Sequence, residues 1–550
     1  MSLVKHTRRL SLVTLVSRIT GMFRDILIAA WLNNNWVQDS FRYAFQVPNL
    51  FRNLLGEGAL AAAFVPVLSE KLGAGDRAAA GRLFGIVATI LALLLGLITL
   101  AVLLLIGGLW LFRDQDPART LLLWLTALMF PYVIFVCLVA LFSAALNCLE
   151  RFSWPALMPV LLNVLQIAAV FLAPRMLQPW WPRPEQQIYF ISASVLLAGI
   201  LQLLLMLRAV KRAGIAWRWE LNLAHPDLRR ILVTMGPMML GLGMLQFVTW
   251  FDSNLIIGLT GLDPTARLHL FGREIAYPLA EGTMSAVDQA RRLYQFPLGI
   301  LGISLATVAF PLFSRLAAQK DYAGMGRSIN SAIKLAIFEA LPSSVLLIVL
   351  SELMVRVLFQ HGKYTAESAA QTAHILRFYS LGIWAYCVHH LVLRAYYSLH
   401  DTITPLKVMA GTLTLALLLD VSLVWVPSLG AAAFGLSTSI MASLNVIFLG
   451  RILARRVQGL QVRELVGSTL RTALASAPMG LAAWAASVYL PIHNRYLLLL
   501  ACLLIAALVF GAAAWALKLP EAKELFGFFL SRRHKPTPPA PAPAEPAQLS

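Results

Sequence analysis

The chain has 550 residues, 59% of them hydrophobic and only 13% charged, with a formal net charge of +19. A soluble domain is typically about 45–50% apolar and about 25% charged, so this composition excludes an ordinary soluble fold. The surplus of Lys and Arg suits basic loops on one face of a membrane, and no soluble domain of useful size remains to bind nucleic acid.

The N-terminus, "MSLVKHTRRLSLVTLVSRITGMFRD", opens like a signal peptide. Arg18 and Arg24 interrupt its apolar part and no small-residue cleavage site follows, so it reads as a retained first span. Apolar runs longer than the roughly 20 residues needed to cross a bilayer then recur along the chain. About fourteen spans are predicted, near 9–32, 38–68, 83–112, 119–148, 154–174, 187–209, 230–259, 285–316, 331–359, 367–398, 403–426, 429–450, 468–490 and 496–517. Cys137, Cys148, Cys387 and Cys502 fall in or beside these segments, without metal-ligand or disulfide spacing.

Basic residues cluster before the first span (Lys5, Arg8, Arg9) and after the second, sixth and twelfth, whereas 33–37 and 427–429 carry none. Both termini are therefore expected on the cytoplasmic side. The Pro/Ala-rich tail, "RRHKPTPPAPAPAEPAQLS", cannot build a packed core and is expected to be disordered.

The chain also repeats. Gln46, Pro48, Pro66 and Ser69 in the second span are matched by Gln295, Pro297, Pro311 and Ser314 in the eighth, the first block being longer by about one helical turn. "FSAALNCLERFSWP" (142–155) is matched by "LRAYYSLHDTITP" (393–405). Six helices per unit keep the two units in one orientation, the parallel-repeat plan of many transporters. The predicted fold is an all-α polytopic membrane protein, two six-helix parallel repeats plus two C-terminal helices. Its parts are an N-terminal lobe (1–212), a C-terminal lobe (213–456), two added helices (457–518) and a cytoplasmic tail (519–550).

Several spans carry charge where the bilayer penalises it by a few kcal/mol per group. At about 1.5 Å per residue, Arg18 and Arg24 lie roughly 15 and 24 Å from the cytoplasmic side, and Arg52 roughly 20 Å from the outer side. Glu57 lies beyond Arg52, Asp39 at the outer mouth, and Arg291 and Arg292 near the outer end of the eighth span. Two readings stay open. Arg24–Asp25 and Arg52–Glu57 are ion pairs that tie helices together, or arginines line a wet cavity for an anionic cargo, since guanidinium suits planar contact with phosphate or carboxylate. Pro48 and Pro297 are expected to break their helices at such a site. Asp252, Asp420, Ser437 and Thr438 fall at similar depth in the outer half. Their oxygens suit Na⁺ or a shared proton, or each Asp is served by neighbouring structural groups. No P-loop, H-E-x-x-H or G-x-S-x-G is present, so no catalytic site or ATP site is expected.

"SRITGMFRD" (17–25), "QDSFRYAFQVPNLFRNLLGEGALAAAFVP" (38–66) and "RRLYQFPLGILGISLATVAFP" (291–311) resemble the MurJ/MviN family of bacterial lipid II flippases, part of the multidrug/oligosaccharidyl-lipid/polysaccharide exporter superfamily. The resemblance implies alternating access in the bacterial inner membrane. Lipid II, an undecaprenyl-pyrophosphate carrying a disaccharide-pentapeptide, enters from the inner leaflet and leaves in the outer one for peptidoglycan assembly. It implies that Arg18, Arg24, Arg52 and Arg292 meet pyrophosphate or peptide carboxylates, and that Asp39 and Glu57 act in gating or transport. It links Asp252, Asp420 and Thr438 to sodium, with Na⁺, H⁺ or the membrane potential left open as the energy source. The last two spans form a groove for the polyprenyl tail. A monomer among membrane lipids and cell-wall synthesis proteins is expected, with no cofactor.

Two departures stand out: Gln295 replaces a frequent acid, and 260–284 is long enough for an extra outer-side amphipathic helix. Three other functions compete. A flippase for an O-antigen or capsule precursor shares the cationic cavity, a cation-coupled drug exporter predicts an acidic or apolar one, and a lipid II polymerase needs a large outer loop.

Overall fold

The apolar runs fold as helices, as they must where no water satisfies backbone groups. The computed structural model describes residues 2–56, 58–111, 117–177, 179–262, 267–270 and 272–522. The N-terminal lobe comprises α1 (Ser2–Leu32), α2 (Trp36–Phe51), a π-helical segment (Arg52–Gly56), α3 (Ala59–Gly73), α4 (Arg77–Leu111), α5 (Pro117–Met129), α6 (Tyr132–Cys148), α7 (Ser153–Leu177) and α8 (Pro184–Arg212). The C-terminal lobe comprises α9 (Pro226–Leu259), α10 (Thr283–Ala318), α11 (Tyr322–Val349), α12 (Ser351–Phe359), α13 (Ala366–Ser380), α14 (Ile383–Ser398), α15 (Ile403–Leu423) and α16 (Ala432–Arg456). Two helices follow, α17 (Val462–Tyr489) and α18 (Arg495–Ala516).

Taking α2–α3, α5–α6, α11–α12 and α13–α14 as broken single columns, the order is that of the fourteen predicted spans. Among the described residues, ten columns are long and apolar enough to cross a membrane by length and composition alone. The remaining columns include α1 and α9, which hold Arg24, Asp25 and Asp252.

Two hydrophobic cores form, one per lobe, and two helices belong to both. Ile28 packs into the first core and the adjacent Ala29 into the second. In α9, Leu228 and Ile231 join the first core while Ile256 and Leu259 join the second. α1 and α9 thus join the lobes. Near Leu350, α17 and α18 pack on the outside of α11 and α12 through Met479, Ala483, Cys502 and Ala506.

The repeat is visible in the backbone. α6 and α14 each end two residues before a non-glycine residue in the left-handed region, Glu150 (φ 57°) and His400 (φ 56°). The next residue closes the helix in both: Arg151 N–H donates to Leu146 O at 2.9 Å, and Asp401 N–H to Tyr396 O at 3.1 Å. Such left-handed caps satisfy the last carbonyls of a helix.

Three local expectations change. The extra residues of the second span are taken up partly as the π-helical segment Arg52–Gly56, not as a plain helical turn. Single π turns often mark functional positions. Pro48 sits just ahead of that interruption, but α10 runs unbroken through Pro297, a single proline removing only one backbone donor. The stretch 260–284 holds no amphipathic helix among its described residues before α10 starts at Thr283. Strands β2 (Arg267–Leu270) and β3 (Arg273–Ala276) pair antiparallel, with Gly272 at φ 75° in the turn. Beneath them β1 (Thr260–Gly261) pairs parallel with β4 (Leu279–Ala280). The polar residues recur at every second position (Arg267, His269), the period of a strand and not of a helix. This hairpin marks one end of the bundle, and the N-terminus of α1 and the end of α18 mark the other. Glu57 and the tail from residue 523 lie outside the described residues.

Candidate functional site

A cavity of about 1000 Å³ lies between the lobes, walled by α2, α6, α7, α9, α10, α15 and α16. Five guanidinium groups reach its lining, those of Arg24, Arg42, Arg52, Arg291 and Arg292, against the carboxyls of Asp252, Asp288 and Asp420. Eight amide side chains also line it, among them Gln46, Asn49, Asn53, Gln246 and Gln295. Amides offer both donors and acceptors, which suits a cargo rich in hydroxyl and peptide groups.

The densest charge is where α1, α2 and α10 meet. Asp25 is fully buried and Arg24 and Arg42 nearly so. Arg24 donates to Asp25 Oδ1 through Nε (3.1 Å) and Nη2 (2.9 Å), and through Nη1 to Asn163 Oδ1 (3.0 Å) on α7. Asn163 in turn donates to Ser17 O and Thr20 Oγ1, fixing α7 against α1. Arg42 Nη1 bridges Asp25 Oδ1 (3.1 Å) and Asp288 Oδ2 (2.9 Å). Arg292 Nη1 lies 2.7 Å from Asp25 Oδ2, and its Nε 3.4 Å from Asp288 Oδ2. Asp288 and Arg292 are four residues apart on α10 and so share one face.

Three guanidinium groups therefore share two carboxylates, one cation in excess. Arg42 Nε and Nη2 are buried without a hydrogen-bond partner. Arg292 is a third exposed and faces the cavity. Buried charge of this kind persists only when paired, and here the pairing leaves donors over for an anion.

Arg52, the first residue of the π-helical segment, lines the same cavity, with its Nη2 3.5 Å from Asn53 Oδ1. A polar seam then joins α2 to α9. Gln46 donates to Thr249 O (3.2 Å) and accepts from Ser253 Oγ (2.9 Å), and Tyr43 donates to Asn254 Oδ1 (2.8 Å).

Across the cavity, Arg291 donates from Nη2 to Asp252 Oδ2 (2.6 Å) and from Nε to Tyr379 Oη (2.8 Å), whose ring stacks on Tyr294. Asp252 and Asp420 are within hydrogen-bonding reach of each other, and Ser437 Oγ donates to Asp420 Oδ1. The two acids, expected at similar depth, stand side by side here. Thr438 lines the cavity, but its hydroxyl donates to Phe434 O in its own helix, leaving Ser437 as the hydroxyl on the acid pair.

The hairpin end of the cavity is sealed. Asp39, 3% exposed, accepts from Ser285 N–H (2.8 Å) and Ser285 Oγ (2.6 Å) at the first turn of α10. A carboxylate is favoured at a helix N-terminus, where unpaired N–H groups point outward. Gly282 caps that helix at φ 82°, and a Cβ there would lie 2.5 Å from Asn34 O. Behind it Asn34, Gln289, Tyr364 and Thr372 form a closed hydrogen-bond net. At the opposite end the lining reaches Asn147 and Pro155, beside the α6–α7 turn.

Of the sequence candidates, Arg24, Arg52, Arg292, Asp252, Asp420 and Thr438 come together around the cavity. Asp39 stands at its seal, and Pro48 and Pro297 shape the helices beside it. Arg18 does not line it: the side chain is exposed and lies against Gly299 of α10, 2.9 Å from where a Cβ would be. Sequence reasoning did not assign Arg42, Asp288 or Asn163 to the site. Arg42 was legible only as a charge inside an apolar span, and Asp288 only through its i, i+4 spacing to Arg292.

A family profile described as "Lipid II flippase MurJ" matches residues 28–505. The chain is 31% identical over 464 residues to "Lipid II flippase MurJ" of Burkholderia cenocepacia, covering 82% of this chain and 84% of that protein. It is 30% identical over 534 residues to "Probable lipid II flippase MurJ" of Rhizobium meliloti, covering 94% of each. Among solved structures, "Lipid II flippase MurJ, inward closed conformation" superposes with a TM-score of 0.71 at 23% identity, covering 95% of this chain and 99% of that one. A multidrug resistance MATE family transporter of the MOP superfamily, in an inward-facing conformation, gives 0.60 at 14% identity, covering 80% and 94%. At these identities the structural likeness is one of fold.

Proposed function

Because the chain belongs to the lipid II flippase MurJ family, we propose that its interlobe cavity carries the charged head of lipid II across the bilayer by alternating access. The protein is a multi-pass membrane transporter, not an enzyme, and lipid II is its cargo. The observation that carries the mechanism is the cluster of Arg24, Arg42 and Arg292 over Asp25 and Asp288, contributed by both lobes and one cation in excess. A pyrophosphate brings about two negative charges and planar oxygen pairs that suit guanidinium groups. Entering the cluster, it takes up the excess donors and competes with Asp25 and Asp288 for the rest, which loosens the ion pairs joining α1 and α2 to α10. Charge on the cargo is thereby converted into lobe movement, since a ligand shifts an equilibrium by its differential affinity for the two states.

The hairpin end is the outer face, and both termini are cytoplasmic. In this reading the Asp39–Ser285 contact holds the outer end shut, and opening requires Asp39 to release the first turn of α10. Arg18, at the α1–α10 seam and flanked by the exposed Leu15 and Ile19, meets the head group first as it enters from the lipid. The polyprenyl tail stays in the bilayer along α17 and α18. The protein acts as a monomer. In cells depleted of their own flippase, expression of the chain is expected to restore access of a membrane-impermeant probe to lipid II. Unchanged access, with the protein inserted, sinks the proposal; restored access to a different lipid-linked glycan redirects it.

The Asp252–Asp420 pair is the coupling site. Two carboxyls beside one guanidinium leave a single negative charge when both are ionised, which fits one monovalent cation, Na⁺ or H⁺. Among the described residues no group of three or more His, Cys, Asp or Glu offers a fuller metal site. Asp420→Asn should abolish whichever dependence the wild type has. Flipping that is indifferent both to replacing Na⁺ by K⁺ and to collapsing the pH gradient rules the pair out as a coupling site.

A further inference from the structure

A second cavity, of about 660 Å³, lies away from the first, at the terminal end of the bundle where α17 begins. Lys334 of α11, Arg463, Glu464, Ser468 and Arg471 of α17, and Glu521 just past α18 line it. We propose that it binds the zwitterionic head group of an ethanolamine-type glycerophospholipid from the adjoining leaflet, phosphate to the arginines and ammonium to Glu521.

The cations are arranged for a phosphate. Arg463, Gly467 and Arg471 stand at i, i+4 and i+8 and so share one helix face. A Cβ on Gly467 would meet nothing within 4 Å, so the space between the two arginines is open. Lys334 Nζ is already paired with Glu464 Oε2 at 2.6 Å. Arg463 and Arg471 have no ion pair among the described residues. Two guanidinium groups flanking a gap suit the oxygens of a phosphodiester.

Glu521 supplies the other half. It is 4% exposed, and its Oε1 accepts from Ser468 Oγ at 2.7 Å. Its Oε2 is buried with no hydrogen-bond partner. A buried carboxylate oxygen left unsatisfied is costly, and a primary ammonium satisfies both its charge and its acceptor. A choline head has no N–H to offer, and a glycerol head has no positive charge.

The ligand is a lipid because of what borders the cavity. Val462 and Leu470 directly precede Arg463 and Arg471, and with Val466 and Leu474 they are all more than half exposed. They form a stripe at four-residue spacing, running from the cavity's edge along the lipid-facing side of α17. Acyl chains on that stripe put the head group at the arginines. None of the lining residues is shared with the interlobe cavity, so this site does not depend on the cargo reading.

The test is native mass spectrometry of the full chain, released from nanodiscs of phosphatidylethanolamine, phosphatidylcholine or phosphatidylglycerol. Wild-type protein should retain the ethanolamine lipid roughly tenfold more than the choline lipid, the effect of one charge-assisted hydrogen bond. Glu521→Gln should reduce that preference to near one while keeping phosphate-dependent retention. The exposed pair Arg463→Ala with Arg471→Ala should reduce retention of all three lipids. Equal retention of ethanolamine and choline lipids by the wild type overturns the proposal. So does retention unaffected by the double arginine variant, or a phosphatidylglycerol preference that survives Glu521→Gln.

Discussion

Arg292→Ala is expected to insert and fold, yet fail to support growth when the native flippase is depleted. The side chain is a third exposed to the cavity and touches both Asp25 and Asp288. It is the most accessible guanidinium of the interlobe cluster, and so the one best placed to move from carboxylate to phosphate. Folding should tolerate its loss, because the cluster carries one cation in excess and Arg24 and Arg42 still neutralise both acids. Transport should not, because the variant removes the excess itself. A charge-assisted contact to a phosphate contributes about 1.5–3 kcal/mol, so cargo-dependent flipping should fall roughly ten- to a hundredfold. Arg292→Lys keeps the charge without the planar fork and should fall between the two. The measurements are complementation and exposure of lipid II to an external probe, with membrane insertion checked separately. Full complementation by Arg292→Ala would make the residue a tether between α1 and α10 and nothing more.

How much of this was legible in the sequence depends on distance along the chain. The helical columns were, because each is written in a continuous apolar run that owes nothing to a remote partner. The repeat was too: the stretches 142–155 and 393–405, matched through Pro155 and Pro405, carry the paired caps at Glu150 and His400. What the sequence did not show was who pairs with whom. Arg42 and Asp288 lie 246 residues apart, as do Asp39 and Ser285, and no local pattern links them. Asp39 looked like a residue of an outer mouth and proves to be buried on a helix N-terminus, because the state described here is closed at that end. Arg18 illustrates a different limit. Its depth followed from counting residues, but depth does not fix the direction in which a side chain leaves its helix, and this one leaves toward the seam with α10. The 260–284 segment misled through period: short polar-apolar alternation fits a strand as well as one face of a helix, and Gly272 in the left-handed region decides for the hairpin.

The largest effect on stability is expected from Asp25→Asn. Asp25 is fully buried and is the one carboxylate that touches Arg24, Arg42 and Arg292, each from a different helix. Asparagine fills the same space, so packing is not the issue; what goes is the charge. Arg24 is then left with Asn163 as its remaining hydrogen-bonded partner and Arg42 with Asp288, and three cations share one acid. Removing one partner of a buried ion pair typically costs about 3–5 kcal/mol, because the other charge remains buried. The variant should therefore be extracted in low yield, melt well below the wild type and fail to complement. A loss of charge balance can be told from a loss of shape by a second substitution. Arg42→Gln in the Asp25→Asn background returns the cluster to two cations against one acid, the original excess of one. It should recover much of the stability, with a coupling between the two sites of about 1–3 kcal/mol in a double-mutant cycle. If the two substitutions simply add, Asp25 and Arg42 do not form one electrostatic unit, and the picture of a charge cluster poised between its own carboxylates and an arriving pyrophosphate loses its physical basis.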